Sequence, residues 1–130
     1  MTLHLRALPG RYAVARLPAG AGWPHWASWS RDFLSVSCTA HETSVMCEAS
    51  RVPSHVRAER DFVALVVEGP LDFAVVGVLA RLTAPLAAAG IPILAVSTFD
   101  TDVLLVREVQ LAAATAALEG AGMRVTADGR

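Results

Sequence analysis

Side chains able to do chemistry gather at a few places in this sequence, and each place suggests a different chemistry. Gly69 and Asp72 flank a loop that leads from an apolar run into a helical pattern. Without a Cβ, Gly69 lets a ligand approach the backbone closely. The free N–H groups of the first helical turn favour a carboxylate, and Asp72 stands at the same mouth to accept an ammonium or guanidinium group. A simpler reading is a turn glycine followed by an N-cap aspartate. The run Ser97-Thr98-Phe99-Asp100-Thr101-Asp102 puts hydroxyls, backbone carbonyls and two carboxylates at a strand end. Two carboxylates in one turn repel unless solvated or paired, which favours a ligand role there over Asx-type turn bonding alone. Thr39, Glu42, Ser44 and Val45 form a third constellation, at a hairpin that needs polar turn residues in any case.

Covalent chemistry finds less support. Cys38 and Cys47 lie nine residues apart in one expected hairpin, a spacing that matches no zinc pattern, and His41 and His55 do not complete one. Both are expected to be buried free thiols. His41-Glu42 beside them resembles a base next to a nucleophile, but Cys38 alternates with Ser37 and reads as core-facing, where a thiol is inert. Ser35, Ser37 and Ser44 lack a Gly-x-Ser-x-Gly elbow. Trp23, Trp26 and Trp29 are spaced by three, a stripe that reads as packing or an oligomer contact.

Composition narrows the field further. All 11 basic residues are Arg and none is Lys, which removes a Schiff-base amine and the P-loop lysine. A net charge of −1 gives no footprint for nucleic acid. The longest apolar runs, at 62–67 and 73–80, fall far short of the ~20 residues that span a bilayer. The start of the chain carries Arg6 and Arg11 and no continuous apolar stretch, so no secretory signal is read and the protein is expected in the cytoplasm. No enzyme activity, cofactor, metal, nucleic-acid or membrane partner is expected. A chain of 130 residues that is 54% hydrophobic must build an unusually full core or bury a face in an oligomer, and the second is favoured.

The elements that must position these residues divide near residue 58, with the polar stretch 54–61 as connector. Before it, strands at 3–8 and 12–17 flank Pro9-Gly10 as a hairpin. A helical turn at 26–30 follows, then a hairpin of 33–39 with 44–49. After it comes a strand at 62–67 buried on both faces. Asp72 then caps a helix with the stripe Val75, Leu79, Leu82 and Leu86, which Pro85 should kink or restart and Gly90 should close. Strands at 91–98 and 102–106 follow, then a helix at 110–118 with Leu111, Thr115 and Leu118 inward, and a last strand at 123–126. Strand, helix, strand, strand, helix, strand is the split βαβ, ferredoxin-like plan.

The stretch EGPLDFAVVGVLARLTAPLAAAGIPILAVSTFDTDVLLVRE resembles the ACT domain of the small aspartokinase-like ACT proteins, relatives of an arginine-sensing module. The stretch FLSVSCTAHETSVMCE resembles their preceding, incomplete ACT-like half. The resemblance implies an α+β protein of two ACT-like units with antiparallel sheets and helices on one face, a partial unit at 1–57 and a complete one at 58–130. It implies an amino-acid-binding sensor that assembles as a homodimer or larger oligomer, holds its ligand at an ACT–ACT interface and does no chemistry itself. The residues that match the family's contact positions are Ser44 and Val45, Gly69, Asp72 and Phe73, and Thr98, Phe99 and Asp102. The strand from Ser44 would offer backbone groups to the ligand, and Phe99 would wall the pocket. A purely structural dimerisation module without a ligand is the alternative.

Overall fold

The computed structural model describes residues 2–69 and 76–127. In chain order the elements are β1 (His4–Ala7), β2 (Tyr12–Pro18), β3 (Ser35–Cys38), β4 (Glu42–Glu48), β5 (Ala58–Val67), α1 (Val78–Ala88), β6 (Ile93–Ser97), β7 (Asp102–Arg107), α2 (Leu111–Gly120) and β8 (Arg124–Ala127). They form two compact units, one of Met1–Pro9 with Val63–Arg130 and one of Gly10–Phe62. The chain therefore passes between units twice, after Pro9 and after Phe62, and β5 contributes to both.

In the helix-bearing unit the order from Val63 onward is strand, helix, strand, strand, helix, strand, as the sequence predicts. The N-terminal strand enters this sheet, whose order is β6-β7-β5-β1-β8. β1 runs antiparallel to β5 and parallel to β8. The sheet is thus mixed, which corrects the expectation of purely antiparallel sheets. It also corrects the expected Pro9-Gly10 hairpin, because β1 and β2 do not pair with each other: β1 pairs with Leu65–Val67 and β2 with Ala58–Phe62. Burial decides the matter. Leu3 and Leu5 are 2% and 0% exposed within the helix-bearing core, and fully burying such side chains is worth about 1.5–3 kcal/mol each, whereas an isolated two-stranded hairpin is marginal in water.

The core of this unit sets Val78, Leu82 and Leu86 of α1 and Ala114 and Leu118 of α2 against Leu5, Val63, Leu65, Val67, Leu104 and Val106. The inward stripe of α1 therefore starts at Val78, and Leu79, expected inward, is 41% exposed. Val75 lies outside the described residues. In α2, Ala114 is buried while Leu111 and Thr115 are half-buried. Helix α1 continues through Pro85 instead of breaking. Leu82 and Leu86, packed before and after Pro85, hold the last turn on the core, and a strong cap closes it. Gly90, at φ 72, donates to the Ala87 carbonyl at 3.0 Å and Ile91 donates to Leu86 at 2.9 Å. These are the paired bonds of a Schellman cap, with its hydrophobic contact made by Ile91 and Leu86 in one core. Helix α2 ends the same way, Gly122 donating to Glu119 at 3.0 Å and Met123 to Leu118 at 3.1 Å.

The second unit is all strand, in the order β3-β4-β2-β5, and every pairing is antiparallel. Its small core holds Ala13, Ala15, Ala27, Val45, Cys47 and Val52. The hairpin of β3 and β4 is where the sequence predicts it, closed by Thr39, whose Oγ1 accepts from the N–H groups of His41 and Glu42 at 3.1 Å. A 3-10 segment spans His25–Trp29, with Trp26 packed on the core and Trp23 and Trp29 exposed. The second half of the stretch expected as a connector instead opens β5. Residues 58–61 alternate between half-buried and exposed, and half-buried Arg60 donates to the carbonyls of Val52, Pro53 and Val56 at 3.0–3.2 Å.

Two substitutions test this construction by urea unfolding. Leu82→Ala should cost about 2–5 kcal/mol, since it opens a cavity at a fully buried site. Gly90→Ala should cost about 1 kcal/mol from the left-handed backbone alone, because a Cβ there meets nothing within 4 Å.

Candidate functional site

In β1 the alternation of a strand puts Leu3 and Leu5 on the core side and His4 and Arg6 together on the other. The ladder with β5 runs one residue beyond that strand, the Glu68 N–H donating to the His4 carbonyl at 2.8 Å. Glu68 thus stands across from His4, and its Oε2 lies 2.9 Å from His4 Nδ1. The other ring nitrogen, Nε2, lies 2.9 Å from Thr126 Oγ1 on β8. The turn between β6 and β7 approaches the same place, because the Thr101 hydroxyl donates to the Val67 carbonyl. Together these elements line a cleft of about 470 Å³ with Arg6, Val66, Val67, Glu68, Gly69, Asp100 and Thr101. A cleft of that volume is in the range of small-molecule sites. Its walls carry one guanidinium and two carboxylates beside the backbone of Gly69.

Of the residues expected to contact a ligand, Gly69 lines this cleft, and so do Asp100 and Thr101 of the run singled out at 97–102. Thr98 lies in the adjoining turn but is committed to it: its N–H donates to the Thr101 carbonyl at 2.7 Å and its Oγ1 accepts from the Thr101 N–H at 3.2 Å. Phe99 is 77% exposed. Asp102 is only 9% exposed, and the Ser97 hydroxyl donates to its Oδ1 at 2.5 Å. The turn's carboxylate on the cleft is therefore Asp100, not Asp102. Asp72 and Phe73 lie outside the described residues, and the position before α1 is Gly77, with no side-chain cap. Ser44 and Val45 belong to the all-strand unit, in a strand flanked on both sides by β2 and β3, with the Val45 side chain in the core.

Sequence reading missed Arg6 and Glu68. The signal was present as His4 and Arg6, two polar residues alternating with Leu3 and Leu5. Its meaning depended on which strand β1 would join.

The cysteines differ from each other. Cys47 is buried in the core and its thiol is pushed up to about 11, first by burial and second by the neighbouring Glu48 carboxylate. Cys38, expected to be buried, is exposed. It ends β3 opposite Thr43, one step past the cover that Leu34 and Val36 receive from the core. Among the described residues no group of three or more His, Cys, Asp or Glu side chains is arranged to hold a metal ion, and no helix is long and apolar enough to cross a membrane.

Comparison with known proteins gives two successive family matches along the chain. A family model for the ACT domain matches residues 57–120, and a separate N-terminal-domain model matches residues 10–55. The crystal structure of Agobacterium tumefaciens protein Atu0741 is similar over 100% of this chain and 96% of its own, with 34% identity and a TM-score of 0.93. Vibrio cholerae VC0802, described as a protein of unknown function and possible transport protein, aligns over 93% of this chain and 91% of its own, at 15% identity and TM-score 0.75. The ligand-free regulatory subunit of aspartate kinase from Thermus thermophilus shares the fold at 11% identity and TM-score 0.60, over 85% of this chain and 91% of its own. No curated protein matches the sequence.

The thiols give a direct check on the local geometry. At neutral pH iodoacetamide should label Cys38 alone, with Cys47 reacting only after denaturation, as read by peptide mass spectrometry. Because folding raises the Cys47 pKa from 9.0 to about 11, the unfolded chain releases this proton first as pH rises. This thiol's contribution to stability should therefore be intact below pH 9 and lost between pH 9 and 11, and Cys47→Ser should remove that alkaline dependence.

Proposed function

Since this chain belongs to the ACT-domain family, as a small protein related to the aspartokinase-like ACT proteins, we propose that it is a non-catalytic regulatory protein that binds a free amino acid. The observation that carries this reading is the charge arrangement of the cleft at the ends of β1 and β5. Arg6 suits an α-carboxylate through its forked donors. Glu68 and Asp100 suit an α-ammonium, and the Gly69 backbone admits close approach. A zwitterion is the ligand for which both signs of charge are needed within one small volume.

The cleft is open on one side, and a second copy of the chain closes it in this reading. Strand β6 supports such an assembly. It has β7 as its one partner among the described strands, the run 91–99 around it carries no charged residue, and Leu94 on it is 37% exposed. An edge strand without charges or bulges pairs readily with another chain. The all-strand unit is then the remnant of an incomplete ACT-like half, and Ser44 and Val45 serve its sheet instead of the ligand. A cytoplasmic homodimer whose association changes when the amino acid binds follows by linkage, because the ligand favours whichever assembly it contacts better. The edge at β6 would equally serve a structural dimerisation module with no ligand.

A thermal-shift screen against the proteinogenic L-amino acids separates the two. A ligand at 100 times its Kd should add about 2.7 kcal/mol, Arg6→Ala should abolish the shift, and light scattering should report a change in mass or shape on binding. A flat response to every amino acid would leave only the structural module. Leu94→Lys on the β6 edge should weaken association in either case.

A further inference from the structure

We propose that His4 is the positioning residue of the cleft: it holds the Glu68 carboxylate at the place where a ligand's ammonium group arrives. The inference rests on the amino-acid-binding reading above and adds a residue to it. His4 is not on the cleft surface, but it grips a residue that is. Its Nδ1 lies 2.9 Å from Glu68 Oε2 and its Nε2 lies 2.9 Å from Thr126 Oγ1, so the ring bridges the end of β5 and the edge strand β8.

The chemistry of the three partners makes this bridge indifferent to the proton count of the ring. A carboxylate only accepts, so Nδ1 carries the hydrogen toward Glu68. A threonine hydroxyl both donates and accepts, so it donates to Nε2 of a neutral imidazole and accepts from Nε2–H of a charged one. Either form keeps both contacts. The ring is thereby fixed in one orientation, as imidazoles commonly are when the nitrogen remote from the working contact is itself bonded.

With the Glu68 and His4 side chains 49% and 26% exposed, their ion pair contributes little to stability. Its consequence is geometric. Glu68 follows the last residue of β5, where a flexible side chain has several rotamers, and Arg6 lies two residues from His4 on the same strand face. A carboxylate anchored by one oxygen to His4 offers its other oxygen in a defined direction and spares the ligand the cost of ordering it. Losing the anchor should weaken binding about tenfold, the effect of one charge-assisted hydrogen bond.

The two contacts separate by substitution. Asn places its side-chain N–H₂ near the Nδ1 position, and Gln reaches the Nε2 position. Binding of the L-amino acid panel is measured by calorimetry for wild type, His4→Asn, His4→Gln and His4→Phe, with melting of the unliganded proteins alongside. His4→Asn should retain affinity, while His4→Gln and His4→Phe should each lose about tenfold at nearly unchanged melting temperature. Wild-type affinity in all variants, or His4→Asn as weak as His4→Phe, would overturn the role of His4 while leaving the amino-acid reading intact. Should wild type bind none of the panel, the amino-acid reading fails, and with it the ligand role of His4. The anchor itself is read without ligand, from imidazole ¹⁵N resonances that should show a bonded Nδ1–H which Glu68→Gln alters. An unaltered spectrum would overturn the anchor as well.

Discussion

The placement of β1 is the constraint on which the site depends. Four residues of strand, His4–Ala7, take up a position between β5 and β8, and they do so because their alternate neighbours Leu3 and Leu5 are buried among the core side chains of α1 and α2. Side chains in a strand have a period of two, so sending the leucines inward sends His4 and Arg6 outward with no further instruction. A slip of one residue would bury a guanidinium and expose the leucines. Core packing and the chemistry of the cleft are therefore one choice, made by hydrophobic burial and read out as electrostatics. The same insertion makes the sheet mixed, since β1 meets β5 antiparallel and β8 parallel.

Strand β5 shows how two environments are written into ten consecutive residues. Its first part, Ala-Glu-Arg-Asp, alternates and keeps Glu59 and Asp61 in solvent, while Phe62–Leu65 are buried without interruption. The apolar part was legible as a doubly covered strand. The polar part was not, because its inward position is held by Arg60, whose charge is satisfied by three loop carbonyls. A buried polar group is tolerated when every donor finds a partner, and no local pattern announces that those carbonyls will be there.

That contrast describes what was legible in general. Elements whose evidence is local were readable: both helices, the Gly90 stop, the β3–β4 hairpin and the β6–β7 turn. Pairings between distant segments were not, and the error at Pro9-Gly10 is instructive. The dipeptide is a fair turn signal, yet a local hairpin competes with two leucines seeking a larger core, and burial is the larger energy. Once β1 was assigned to the wrong partner, Arg6 and Glu68 had no reason to be considered together, being far apart in sequence. At the β6–β7 turn, by contrast, the signal is local, and the sequence singles out the segment with Asp102 as its carboxylate. Asp102 begins β7 and turns inward to the Ser97 hydroxyl, while Asp100, two residues earlier, lines the cleft.

The turn also shows why a rigid scaffold suits an open site. Thr98 and Thr101 close it on themselves through backbone and hydroxyl bonds, and the Thr101 hydroxyl ties it to the Val67 carbonyl, next to Glu68 and Gly69. Asp100 is thereby carried on a loop with little freedom of its own. Preorganised charges lose less on binding than charges that must first be gathered. An ammonium held between carboxylates gains most when water is excluded, since the same pair is worth several times more at the dielectric of a protein boundary than in bulk water. A cleft exposed on one side keeps that gain small. In the proposed reading a second copy laid over the cleft would raise the gain, so ligand and copy would strengthen each other by the same factor. That reciprocity is the linkage expected of fixed charges in a cleft open to solvent.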